Sequence, residues 1–109
     1  MRKIIDFTKV RAKDYLLWKD KDDEDNIGKN KGIIGLVGSV NGYEGMLYEK
    51  ECWIADLDEN LTILDIIERE HLNEKGKFGF RLMEQLYKIY RLNQKEVKEF
   101  QKLVVIYNI

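Results

Sequence analysis

Residues 32–49, GIIGLVGSVNGYEGMLYE, decide the fold of this chain. Two apolar runs meet across Asn41-Gly42, and both of these residues tolerate the positive φ that the centre of a type I′ turn requires. The segment therefore reads as a β-hairpin. A two-residue turn then fixes the pairing. Val40 faces Tyr43, Gly38 faces Gly45, Leu36 faces Leu47 and Ile34 faces Glu49; on the other side Ser39, Val37, Gly35 and Ile33 face Glu44, Met46, Tyr48 and Lys50. Both faces are largely apolar, so the hairpin belongs inside a sheet or offers one face to a partner. Gly38 opposite Gly45 leaves a notch, and Tyr48 is placed to lie over Gly35, an arrangement in which an aromatic ring covers a cross-strand glycine.

Around the hairpin, Lys3–Phe7 reads as a short strand. Thr8–Trp18 fits either helix or strand, and a second strand or irregular edge is preferred. The charged run DKDDEDN that follows is a solvated loop. Glu51–Leu57 reads as a third core strand with Trp53, Ala55 and Leu57 on one face. Thr62 as N-cap, Asp65 three places on and a Leu61–Ile66 staple predict a first helix that stops at Asn73-Glu74-Lys75-Gly76. The stripe Leu82, Met83, Leu86, Ile89 and Tyr90 predicts a second helix over about 80–92. A third starts where Asn93 is followed by Glu96, with Leu92 stapled to Val97. Its stripe is Val97, Phe100 and Val104, and residues 103–109 either continue it or form a strand. The expected architecture is one α+β domain spanning residues 1–109. In it a small antiparallel sheet, with the Asn-Gly hairpin at its centre, packs against two or three C-terminal helices.

Composition narrows the functional classes. With 109 residues, 44% hydrophobic and 36% charged, the chain is of the size and balance of a globular domain. No apolar stretch approaches the roughly 20 residues of a membrane span, and the start MRKIID is charged too early for a signal peptide, so a cytoplasmic location is expected. One cysteine, Cys52, and one histidine, His71, exclude an internal disulfide and a thiolate metal centre. Neither has a partner at a telling spacing. Cys52 reads as a small buried hydrophobe and His71 as a surface residue near a helix end. Proline is absent and Lys, Ile, Glu and Asn are abundant, a bias that points to an AT-rich genome such as that of a low-GC bacterium or something that infects one. The net charge of −1 conceals a partition: residues 1–19 sum to +4, 20–70 to −9 and 71–109 to +4. Such asymmetry steers a charged partner or is neutralised within the fold.

Three stretches resemble known sites. WIADLDENLT, residues 53–62, resembles the first motif of the haloacid dehalogenase phosphatases. That resemblance implies Asp56 as nucleophile, Asp58 as general acid/base and a Mg²⁺ beside them, but Asn60 stands where the family has Thr or Val. DKDDEDNIG, residues 20–28, resembles an EF-hand loop at Asp20, Asp22, Glu24 and Ile27, yet holds Asp25 where that loop needs Gly and Lys31 where it needs Glu. RLNQKEVKEF resembles the opening of a helix-turn-helix unit, and KLVVIYNI replaces the recognition helix that should follow.

The functional expectation is a small, non-enzymatic binding protein with no cofactor and no metal. It acts stoichiometrically as an inhibitor or neutraliser of a macromolecule, in the manner of phage or mobile-element anti-defence proteins. Its expected contact residues are Asp22, Asp23, Glu24, Asp25, Tyr43, Glu44 and Tyr48, and its expected partner is a protein or nucleoprotein with a basic surface. No membrane contact and no direct nucleic-acid binding are expected; a nucleic-acid-associated protein using the basic C-terminal helices is the alternative, and a Mg²⁺-dependent hydrolase centred on Asp56 and Asp58 is a second one.

Overall fold

The computed structural model describes residues 1–21, 30–41, 45–66 and 76–106. Its strands are β1 (Arg2–Lys3), β2 (Tyr15–Asp20), β3 (Asn30–Asn41), β4 (Gly45–Leu57), β5 (Ile63–Ile66), β6 (Gly76–Phe78) and β7 (Tyr87–Arg91). Two α-helices, α1 (Phe80–Leu86) and α2 (Gln94–Ile106), and a 3₁₀ turn at Phe7–Lys9 complete it. The seven strands form one antiparallel sheet in the order β1-β7-β2-β3-β4-β5, with β6 also paired to β4. The α+β reading holds at this level. The hairpin arms β3 and β4 lie inside the sheet, which is why both of their faces are apolar.

The alternation of β2 shows how the sheet divides two cores. Leu16 and Trp18 point to one side, where they pack with Phe7, Val10, Val37, Met46 and Ile89. Leu17 points to the other, where it meets Ile34, Cys52, Ile54, Leu57, Ile66, Leu92 and Phe100. The amphipathic α2 covers this second face through Phe100, with Val97, Leu103 and Val104 beside it. The first face is covered by Phe7 of the 3₁₀ turn and by Met83 of α1.

The hairpin register differs from the expected one by three residues. Asn41 lies within the ladder opposite Gly45, followed by Val40 with Met46 and Ser39 with Leu47, so residues 42–44 make the connection. Those three lie outside the described residues. Register shifts around Val37 bring it opposite Tyr48 and leave Gly38 and Glu49 out of the pairing. The slip keeps Val37 and Met46 in one core and places Ile34 opposite Cys52 in the other. Burial on both faces outweighs the local preference for a two-residue Asn-Gly turn.

The glycine notch is corrected with the register. Trp18, not Tyr48, covers Gly35, and Tyr48 covers Gly76 of β6. A Cβ on Gly38 would meet the Glu49 side chain rather than face Gly45. On β4, Met46, Glu51, Cys52, Ile54 and, past an irregularity, Leu57 are buried.

The helix expectations fare unevenly. Residues 63–66 form β5, not the first turn of a helix, and residues 67–75 lie outside the described residues. Asp58 explains the difference. One of its carboxylate oxygens accepts from Asn60 N at 2.9 Å and from Thr62 N at 2.8 Å. Asp58 N donates to Thr62 O at 3.1 Å and Leu61 takes a left-handed φ of 63°, so the chain reverses and Ile63–Ile66 returns beside β4. The second helix stops at Leu86, and Tyr87–Arg91 instead fills the sheet position between β1 and β2. Its aromatic and β-branched residues suit a strand as well as a helix, and backbone pairing on two edges decides. The third helix begins as expected. Asn93 Oδ1 accepts from Glu96 N at 2.9 Å while Glu96 Oε1 accepts from Asn93 N at 3.0 Å, a reciprocal capping box. It continues through Ile106, so residues 103–106 are helical.

Candidate functional site

Of the seven expected contact residues, only Tyr48 is among the described ones. Asp22, Asp23, Glu24, Asp25, Tyr43 and Glu44 lie outside them. The residues that flank the acidic run, Lys21 and Asn30, stand at one end of β3, and those that flank residues 42–44 stand at the other. A twelve-residue strand separates them, on the order of 30 Å along its length. A surface joining both sets would run the length of the hairpin. Tyr48 itself is half-buried. Its ring meets Trp18 edge-on at 6.1 Å between centroids, and its hydroxyl donates to the carboxylate of buried Glu51. Burial, with the Glu51 charge adding to it, pushes the phenol pKa above its ordinary value. Tyr48 thus packs against Trp18 and stays partly exposed.

The aspartates of the dehalogenase-like stretch occupy a different setting from the one that resemblance implies. Asp56 lies in β4 opposite Asp65 of β5, and the Asp58 carboxylate holds the turn that joins those antiparallel strands. Cys52 is buried, and desolvation raises its thiol to about 11. A cavity of about 110 Å³ lies beside it between the sheet and α2, lined by Tyr15, Ile34, Phe100 and Val104 among others. His71 lies outside the described residues.

A second concavity was not anticipated from sequence. It is an open groove of about 750 Å³ at the β1 edge, lined by Met1–Asp6, Lys9 and Arg91–Asn93. Local chemistry builds it rigidly. Asp6 caps the 3₁₀ turn, accepting from Thr8 N at 3.1 Å and from the Thr8 hydroxyl. These hydrogen bonds, helped by Lys9, hold the Asp6 carboxyl below the usual range. Phe7 anchors the turn in the core, and Ile4 N donates to Ile89 O at 2.8 Å. Arg91 ties the floor together: one terminal nitrogen donates to Lys9 O at 2.8 Å and Nε lies 3.2 Å from Asp14 Oδ2.

Arg2, Lys3 and Lys9 are exposed and make no ion pair among the described residues, while Ile5 beside them is 88% exposed. The sequence signal for this groove was present in the +4 charge of residues 1–19. What it lacked was Arg91, brought across from 82 residues away by the β1–β7 pairing.

No family model matches the chain, and no curated protein or solved structure is detectably similar to it.

Proposed function

We propose that this chain is a small binding protein that works stoichiometrically, covering a surface of a macromolecular partner and so inhibiting or neutralising it. Anti-defence proteins of phages and mobile elements act in this way, inside the cell. The observation that carries the reading is the opposite placement of charge about one strand. Arg2 pairs with Arg91 at the end of β7, beside the cationic groove, whereas Asp20, from which the acidic run continues, pairs with Tyr87 at its beginning. Opposite charges held apart on a stiff sheet accelerate encounter and fix orientation, which are properties of a contact surface. A nucleoprotein suits both ends, since it presents basic protein beside exposed phosphate.

Purification of the tagged protein from its native cell, mass spectrometry of what accompanies it, and light scattering of the reconstituted pair test this. The expected result is a complex of fixed ratio in which the partner loses activity. Replacing Asp22, Asp23, Glu24 and Asp25 with Ser then slows association and flattens its salt dependence. A partner that appears in no fixed ratio, or that keeps its full activity in the complex, contradicts the reading.

A further inference from the structure

We infer that the groove at the β1 edge is a contact site for the phosphodiester backbone of a nucleic acid, with Arg2, Lys3 and Lys9 as the phosphate-binding groups. This deepens the binding reading above and rests on it for the identity of the partner, but it stands on its own geometry. The β1–β7 register sets Arg2 directly opposite Arg91. Like charges facing each other across a ladder destabilise it. Asp14 answers Arg91, and no described residue answers Arg2. An anion in the groove relieves that repulsion. Lys3 follows on β1 and Lys9 ends the 3₁₀ turn on the other wall, so four cationic side chains, three of them in no ion pair among the described residues, line one open concavity against the single acid Asp6, already engaged by Thr8.

The lining favours backbone phosphate over base stacking and over an acidic polypeptide. It contains no aromatic side chain on which a base could stack, so contacts fall on the backbone and are independent of sequence. An acidic polypeptide would engage this edge by adding a strand, and β1 is two residues long, too short to template one. The site also differs from the basic C-terminal helices suggested by the sequence. In α2 three lysines alternate with two glutamates, which leaves little net charge there.

Fluorescence anisotropy of the full chain with a labelled single strand and with the corresponding duplex tests the assignment. Binding of either is expected, insensitive to base sequence, and to weaken with salt at a log–log slope of about −2 to −3, as three phosphate contacts imply. Arg2→Glu, Lys3→Glu and Lys9→Glu together should lower affinity at least about tenfold and bring the slope toward zero. Thermal melting of that variant checks that the fold survives. The charge-matched variant Lys95→Glu, Lys98→Glu and Lys102→Glu on exposed α2 positions should retain the parent slope. Equal losses in the two triple variants would place the contact elsewhere and overturn the assignment, as would displacement of the nucleic acid by poly-glutamate at equal charge. Absence of binding at low salt, with a fixed-ratio protein complex still formed, would overturn the groove assignment alone and leave the stoichiometric reading intact.

Discussion

Trp18 of β2 lies over Gly35 of β3, so closely that a Cβ on the glycine would come within 2.5 Å of Cη2 and 2.7 Å of Cζ3. The ring occupies the volume that a side chain would need. Trp18 is nearly fully buried and touches Tyr48 edge-on, and Tyr48 in turn covers Gly76, so two aromatic–glycine pairs adjoin across β2, β3, β4 and β6.

Gly35→Ala should therefore destabilise the protein by about 1 to 3 kcal/mol, because the ring is held on several sides and cannot swing away. In a Trp18→Leu background the same change should cost clearly less, since the two sites share one volume. Urea melts of the four proteins measure the coupling. Additive effects would show that the ring does not depend on the absent side chain.

Asp58→Ala removes the acceptor shared by Asn60 N and Thr62 N and should cost about 1 to 2 kcal/mol. Asp58→Asn keeps an acceptor oxygen and should retain most of that stability, and Asp56→Asn should leave partner binding unchanged. Equal stability of Asp58→Ala and the parent would remove the turn explanation of why residues 63–66 form a strand. Mg²⁺-dependent turnover of a phosphoester, abolished by Asp56→Asn, would overturn the non-enzymatic reading.

Alkaline pH should weaken the fold through Cys52. Burial raises its thiol from 9.0 to about 11. A raised folded-state pKa gives stability that is fully present below the unfolded value and is lost as pH climbs through the folded one. The loss therefore falls between pH 9 and about 11. Tyr48, also raised by burial, adds a loss in the same direction above its ordinary value of 10. Denaturation at a series of pH values should show this decline, and Cys52→Ala should flatten its lower part. An unchanged slope in that variant would mean that the thiol is solvated in the folded state.

The parts of the fold legible in sequence are those fixed by local chemistry. Asn93 and Glu96 announce a capping box that the structure contains, and Leu92 and Val97 belong to the same core. Residues that serve two chemistries were misread. Thr62 and Asp65 resemble a helix start, but Asp58 captures the backbone first and turns it into a hairpin. Tyr87–Arg91 carries a helical stripe, yet the open edge of β2 takes it as a strand. Such choices depend on which edge lies nearby, which no window of sequence contains. The groove was hidden for the same reason: Arg2 and Arg91 become neighbours only through the sheet. Tyr48, named as a contact residue, also packs against Trp18 and covers Gly76, neighbours that its sequence surroundings do not reveal.

The central claim is that the protein acts by occupying a partner one for one or in another fixed ratio, without turnover. Titrating it into the isolated partner, held well above the dissociation constant, tests that most directly. The account predicts a linear loss of partner activity that ends at a sharp equivalence point and does not deepen with longer incubation. Loss that continues at substoichiometric amounts and grows with time would mark a catalyst and contradict it.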